Sequence, residues 1–178
     1  MQRRTALTVA PCIETERLVL RGFALDDFEA CYAMTADPAV YRHLGGAPVD
    51  RAAKWEKFLR APGWWQLLGY GFWIAQDRAS GAVLGEIGYG EFRRAIDPPL
   101  ADMPEMGWIF ASAAHGRGLA SEALTAVLAW GDAHIPGPVQ CIIDADNAAS
   151  LRLARRFDFA EVRRAAYART TVVVLERG

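Results

Sequence analysis

A chain of 178 residues has room for one domain with a core of its own and is short for two. Its composition, 52% hydrophobic and 23% charged, is that of an ordinary globular protein, and a formal net charge of −1 sets aside a nucleic-acid binder working through bulk charge. Cys12, Cys31 and Cys141 are odd in number and widely spaced, without a Cys-x-x-Cys or Cys/His pattern, so free thiols in a reducing compartment and no structural metal are expected. No apolar run approaches the roughly 18 residues of a membrane span, and the short apolar stretch of MQRRTALTVAPC is too brief for a secretion signal. The expectation is a cytoplasmic protein.

Residues 18–23 alternate apolar and polar side chains and lead into Asp26 and Asp27, both good capping types, which predicts a strand followed by a helix to about Met34. Pro38 then opens a short helix, PAVYRHL, stopped by Gly45 and Gly46. Asp50 caps a third helix reaching Leu59 or Arg60, and Pro62-Gly63 ends it beside Trp64 and Trp65. Adjacent tryptophans cannot share one face, so one ring is left either to cover the core or to line a site.

Residues 72–76 and 83–90 read as a hairpin turning through residues 79–82. Gly85, Gly88 and Gly90 in its second strand suggest a bulge or a close approach. Residues 93–104, with three prolines, are long for a connection and read as a flap or a loose excursion. A strand at residues 105–110 follows. After a long helix come a strand at residues 139–144, a helix capped by Asn147, and a final hairpin, residues 160–166 and 170–176. No internal repeat appears.

The long helix carries apolar residues at Ala120, Ala123, Leu124, Val127, Leu128 and Gly131, one continuous face. Just before it, His115-Gly116-Arg117-Gly118 forms a glycine-rich turn whose backbone N–H groups can converge on one point. The free amides of the first helical turn, the helix dipole and the Arg117 charge add to that field, so the junction is an anion cradle suited to phosphates. A dinucleotide fingerprint, Gly-x-Gly-x-x-Gly, would need a third glycine where Ser121 stands, which weakens the alternative of a nicotinamide-dependent oxidoreductase.

At this junction HGRGLA resembles the acetyl-CoA pyrophosphate loop Q/R-x-x-G-x-G/A of the GCN5-related N-acetyltransferases (GNAT), with His115 departing at the first place. TERLVLR (residues 15–21), GFWIAQDRASGAVLGEIGYGEF (71–92) and NAASLRLARRFDF (147–159) follow the family's order. They are most similar to the branch of ribosomal-protein N-terminal (RimJ/RimL-like) acetyltransferases. The resemblance implies a mixed α/β domain over residues 12–178, with residues 1–11 a poorly ordered extension. It implies a strongly bent, mostly antiparallel sheet of about seven strands with a central parallel pair, flanked by helices. It also implies acetyl-CoA as cosubstrate, with Ile109, Phe110, His115, Gly116, Arg117, Gly118, Leu119, Ala120, Asn147 and Ser150 around it, and no metal. The expected acceptor is an amine, of a small molecule or a protein N-terminus; no nucleic acid or membrane partner is expected, and the expected state is a monomer or homodimer.

Acetyl transfer to an amine requires removal of a proton from a group of free pKa near ~8 to ~10.4. The resemblance points to Glu105 as the base, at the head of the strand feeding the cradle, with Glu86 and Asp102 in reserve. The tyrosine that many relatives use to protonate the departing thiolate falls at Ala154, leaving Ser150 of the N-x-x-S motif. Asp158 stands where a helix-ending glycine is expected, a position aspartate tolerates. A non-catalytic acyl-CoA-binding module remains the alternative from a different class.

Overall fold

The computed structural model of the chain describes residues 9–167 and 170–178. Strands β1 (Ile13–Glu14), β2 (Leu18–Arg21), β3 (Phe72–Asp77), β4 (Val83–Gly90), β5 (Glu105–Phe110), β6 (Val139–Asp144), β7 (Ala160–Tyr167) and β8 (Thr170–Arg177) form one sheet ordered β1-β2-β3-β4-β5-β6-β8-β7. Every neighbouring pair is antiparallel except β5 and β6. The expected mixed α/β class with one parallel pair is therefore found, and the two-residue β1 supplies an eighth strand.

Side-chain alternation along the strands sorts the two faces of the sheet. Trp73, Ala75, Ile87, Tyr89 and Met106 join one large core with Leu119, Ala123, Leu124 and Val127 of the long helix α4 (Leu119–His134). On the other face Ile74 packs with Phe28 and Cys31 of α1 (Phe28–Ala36) and with Phe58, a residue of the helix spanning Arg51–Leu68. The close approach anticipated for the glycines of β4 is realised at Gly88, where a Cβ would lie 2.2 Å from the Gly71 carbonyl oxygen. The expected boundary at residue 12 lies beside a segment that touches the sheet: Ala10 packs against the core, and Pro11 accepts a hydrogen bond from Trp73 Nε1 at 2.7 Å. The remainder of the extension expected there, residues 1–8, lies outside the described residues.

Two local expectations are corrected. Asp27 stands at the N-cap position of α1 as expected, but its side chain makes no capping bond; it is buried and holds Arg21 through two contacts of 2.7 Å while accepting from the Ala24 N–H at 2.8 Å. Beyond the four-residue α2 (Pro38–Tyr41), α3 (Arg51–Leu68) starts at its Asp50 cap as expected but continues through Pro62 to a left-handed Gly69 with φ 75°. Burial explains this persistence, because Lys54, Phe58, Ala61 and Trp65 lie on one helical stripe and all are buried. That stripe outweighs the lost hydrogen bond to the Phe58 carbonyl.

One junction sets up the site. β4 and β5 stay in register along β5, and β6 and β8 stay in register along β6, yet β5 and β6 meet only at Glu105 and Gln140. Past that pair their facing edges diverge into a wedge. The flap packs onto the sheet beyond it, with Ile96 buried among Ala165 and Val172, and Gln140 Nε2 donating to the Ala101 and Met103 carbonyls at 2.9 and 3.2 Å. Among the described residues no helix is long and apolar enough to cross a membrane.

Candidate functional site

The turn before α4 has Gly116 and Gly118 in left-handed conformations, φ 71° and 76°, which glycine adopts without strain. A Cβ at Gly116 would meet nothing within 4 Å and one at Gly118 only Arg17 Nη2 at 3.5 Å, so the backbone conformation selects glycine and the space above the turn is open. The first helical hydrogen bond runs from the Glu122 N–H to the Gly118 carbonyl at 3.0 Å. The amides of Leu119, Ala120 and Ser121 consequently have no partner inside the helix. The observed turn thus fits an anionic group held by backbone amides.

The cradle is braced from the turn between β1 and β2. Arg17 Nη1 donates to the Arg117 carbonyl at 2.8 Å, while Glu122 accepts from Thr15 Oγ1 at 2.6 Å and from the Arg17 N–H and Nε at 2.7 Å each. Burial pushes the Glu122 carboxyl up, but these hydrogen bonds outweigh it and hold it below its ordinary range. His115 faces back, with Nε2 2.9 Å from the Phe110 carbonyl, so the residue that departs from the loop motif serves as a latch. Phe110 and Leu119 bury their side chains in the core and can offer a ligand only their backbone. Arg117 is exposed and, among the described residues, closes no salt bridge, although its charge reaches the Asp77 carboxylate and helps to lower it.

A cleft of about 460 Å³ runs from the wedge across the sheet face opposite α4. Its wedge end is lined by Ile109, Ile142, Asp144, Asn147 and Ser150; its far end by Lys54, Phe58, Trp64, Phe72, Glu86 and Phe92. Asn147 caps α5 (Ala148–Arg156) by accepting the Ser150 N–H at 3.1 Å, which leaves the half-buried Ser150 hydroxyl without a partner among the described residues. Ala154 is fully buried in the core. Of the adjacent tryptophans, Trp64 lines the cleft and Trp65 packs at 4.5 Å against Trp73, donating from Nε1 to the Phe72 carbonyl at 3.0 Å.

Glu105 sits at the wedge apex, 5% exposed. Arg94 of the flap contacts its oxygens from Nε at 3.0 and 2.9 Å and from Nη2 at 2.7 Å, and donates from Nη1 to the Tyr167 hydroxyl at 3.0 Å. Burial works against the Arg94 cation, yet Glu105 and the Tyr167 oxygen more than restore it. Glu86 is paired with Lys54. Asp102 is exposed, bridged to Arg93 at 3.2 Å, and borders a separate cavity under the flap. Cys141 lines the cleft and Cys31 lies near Glu86; burial first, then the neighbouring carboxylates, pushes both thiols far above their ordinary value. Both therefore stay protonated at neutral pH and are poor nucleophiles.

Sequence reasoning missed Arg94, Tyr167 and Lys54. A long loop conceals where its arginine reaches, but Lys54, Phe58, Ala61 and Trp65 carry a helical period that would have revealed both the full length of α3 and a lysine on its buried side.

A family profile describing an acetyltransferase (GNAT) domain matches residues 17–160. The chain belongs to the GNAT acetyltransferase family. A solved structure titled as a putative GnaT-family acetyltransferase, from Bordetella pertussis, is similar to this GNAT chain at 32% identity and a TM-score of 0.83, covering 95% of this chain and 100% of its own. An acetyltransferase from Agrobacterium tumefaciens str. C58 is 26% identical, with a TM-score of 0.80 and 99% of both chains covered. The Bacillus subtilis (strain 168) protein YkkB, uncharacterized, is 35% identical over 94 residues, 49% of this chain and 51% of its own, so the chain spans about half the length of the curated relative it matches.

Proposed function

We propose that this GNAT domain transfers an acetyl group from acetyl-CoA to a primary amine by direct attack, with both substrates bound together. The observation that carries the reading is the wedge between β5 and β6, which leads into a cleft containing a buried carboxylate, close to a turn of open amides. Gly116, Arg117, Gly118 and the amides of Leu119 and Ala120 would hold the pyrophosphate. The free backbone edge of β5 around Ile109 and Phe110 would pair with the pantetheine arm as an added strand does. When bound, acetyl-CoA supplies an acyl group already activated as a thioester.

Glu105 takes the proton from the amine, directly or through water, with Glu86 the reserve on the same cleft. Ser150, its hydroxyl uncommitted, donates a hydrogen bond to the departing sulfur, whose free thiol pKa near ~8.5 makes it a tolerable leaving group. An N–H on the open edge of β5 serves the acyl oxygen, worth ~3 kcal/mol in comparable sites. The protonated thiols of Cys31 and Cys141 favour direct transfer over a covalent acyl-enzyme.

Thiol release from acetyl-CoA, followed against small amines and N-terminal peptides, tests the reading. Turnover with at least one amine is expected. Acetyl-CoA binding without turnover of any would make the chain a binding module, and binding of NAD in place of CoA would make it an oxidoreductase.

A further inference from the structure

The far end of the cleft combines apolar walls with an uneven set of charges. Trp64, Phe72 and Phe92 touch one another, with ring centroids 5.1 to 6.1 Å apart, and form a continuous aromatic wall. Of the three carboxylates that line the cleft, Glu86 is engaged by Lys54 and Glu105, at the wedge apex, by Arg94, while Asp144 at the wedge end accepts from the Thr170 hydroxyl and the Asp146 N–H. Two cations are left over: Lys57 and Arg60 line the same cleft, are exposed, and have no carboxylate partner among the described residues. They sit three residues apart on α3, about one turn, so both belong to its cleft side along with Lys54 and Trp64. Arg60 is anchored at the rim, its guanidinium 5.4 Å over the Trp64 ring.

A second positive charge on an acceptor would enter a cleft with four cations, Lys54, Lys57, Arg60 and Arg94, against three carboxylates, and Asp144, the one without a cation, lies away from it at the wedge end. A neutral tail would leave Lys57 and Arg60 unused. A carboxylate beside the amine meets them, while the aromatic wall takes an apolar side chain. Resting on the transferase reading above, we infer that the acceptor is a small aminocarboxylate with an apolar side chain, and that Lys57 and Arg60 select it by its carboxylate.

The test compares kcat/KM for matched amines differing only in the carboxylate, phenylalanine against 2-phenylethylamine and leucine against 3-methylbutylamine, in the wild-type protein and in the double variant Lys57→Glu, Arg60→Glu. Because intrinsic amine basicity is the same for both proteins, it cancels from the change in preference. The preference for the carboxylate member is expected to fall by at least about tenfold in the variant, with acetyl-CoA affinity by calorimetry and melting temperature unchanged. A preference that does not move, wild-type turnover favouring a diamine over every carboxylate member, or an N-terminal peptide favoured more than tenfold over the free amino acids would each overturn the inference. In those outcomes amine acetylation still occurs, so the transferase reading survives; absence of turnover with any amine removes both.

Discussion

Glu105 meets two demands, pairing with a half-buried guanidinium and facing the cleft, and its substitution should report on both. Glu105→Gln keeps the size of the side chain and removes its charge and basic lone pair. With saturating acetyl-CoA the rate should fall ~10² to 10⁴ at neutral pH, with acetyl-CoA affinity nearly unchanged, and recover in part as rising pH delivers more neutral amine. Leaving the half-buried Arg94 without its counter-charge should also cost about 2 kcal/mol in denaturant unfolding. A wild-type rate together with that destabilisation would pass the proton to Glu86. The carboxylate could be read from its place at a strand head; its partner could not, because sequence spacing does not show where an eleven-residue-distant loop arginine lands. Asp27 carries a separate pH signal. Burial raises its carboxyl, but Arg21 and the Ala24 N–H outweigh this, so its folded value lies below the unfolded one. Its stabilising contribution is complete above about pH 4, the unfolded value, and is lost as pH falls through the depressed folded value. Thermal melts of Asp27→Asn should therefore show lower stability at neutral pH, by about 3 kcal/mol, and a shallower acid decline than wild type.

At the scale of elements, α3 shows where local rules lose. Its start was legible because an aspartate cap leaves a clear signature, and the structure has Asp50 accepting the Ala53 N–H at 3.1 Å. Its end was misread because an interior proline costs ~3 kcal/mol locally, which reads as a stop. The cost is offset by packing that becomes visible only in three dimensions, with Phe58 and Trp65 on either side of Pro62 both buried, each large apolar side chain worth ~1.5 to 3 kcal/mol. Pro62 itself is exposed. Pro62→Ala should therefore restore the hydrogen bond to the Phe58 carbonyl without disturbing the core. Allowing for the more flexible unfolded chain, the gain should be about 2 kcal/mol, raising the melting temperature by roughly 4 to 8 degrees. A lower melting temperature would mean that α3 packs correctly only with the distortion proline imposes. By contrast Asp158, at φ 64°, occupies the left-handed turn expected of it, since that requirement is local to one residue.

At the scale of the molecule, strand periodicity identified nearly every strand, but the wedge arises from which edges fail to pair. β6 finds its partner in β8, some thirty residues later in the chain, and that long-range pairing, absent from any local pattern, leaves one edge of β5 free beyond Glu105. A molecule with such a gap gains stability from whatever fills it. If acetyl-CoA bridges the open amides before α4 and the free edge of β5, it binds the folded chain and not the unfolded one, contributing ~2.7 kcal/mol at about 100 times its Kd. For a domain of this size that raises the melting temperature by roughly 5 to 11 degrees. Gly118→Val should abolish most of the shift. Left-handed φ at that position strains a β-branched residue, and its side chain enters the open space where the phosphate would sit, so affinity should fall at least about tenfold with the fold retained. Equal shifts in wild type and variant would place the ligand away from this turn. A shift with NAD and none with CoA would leave the wedge without its proposed occupant.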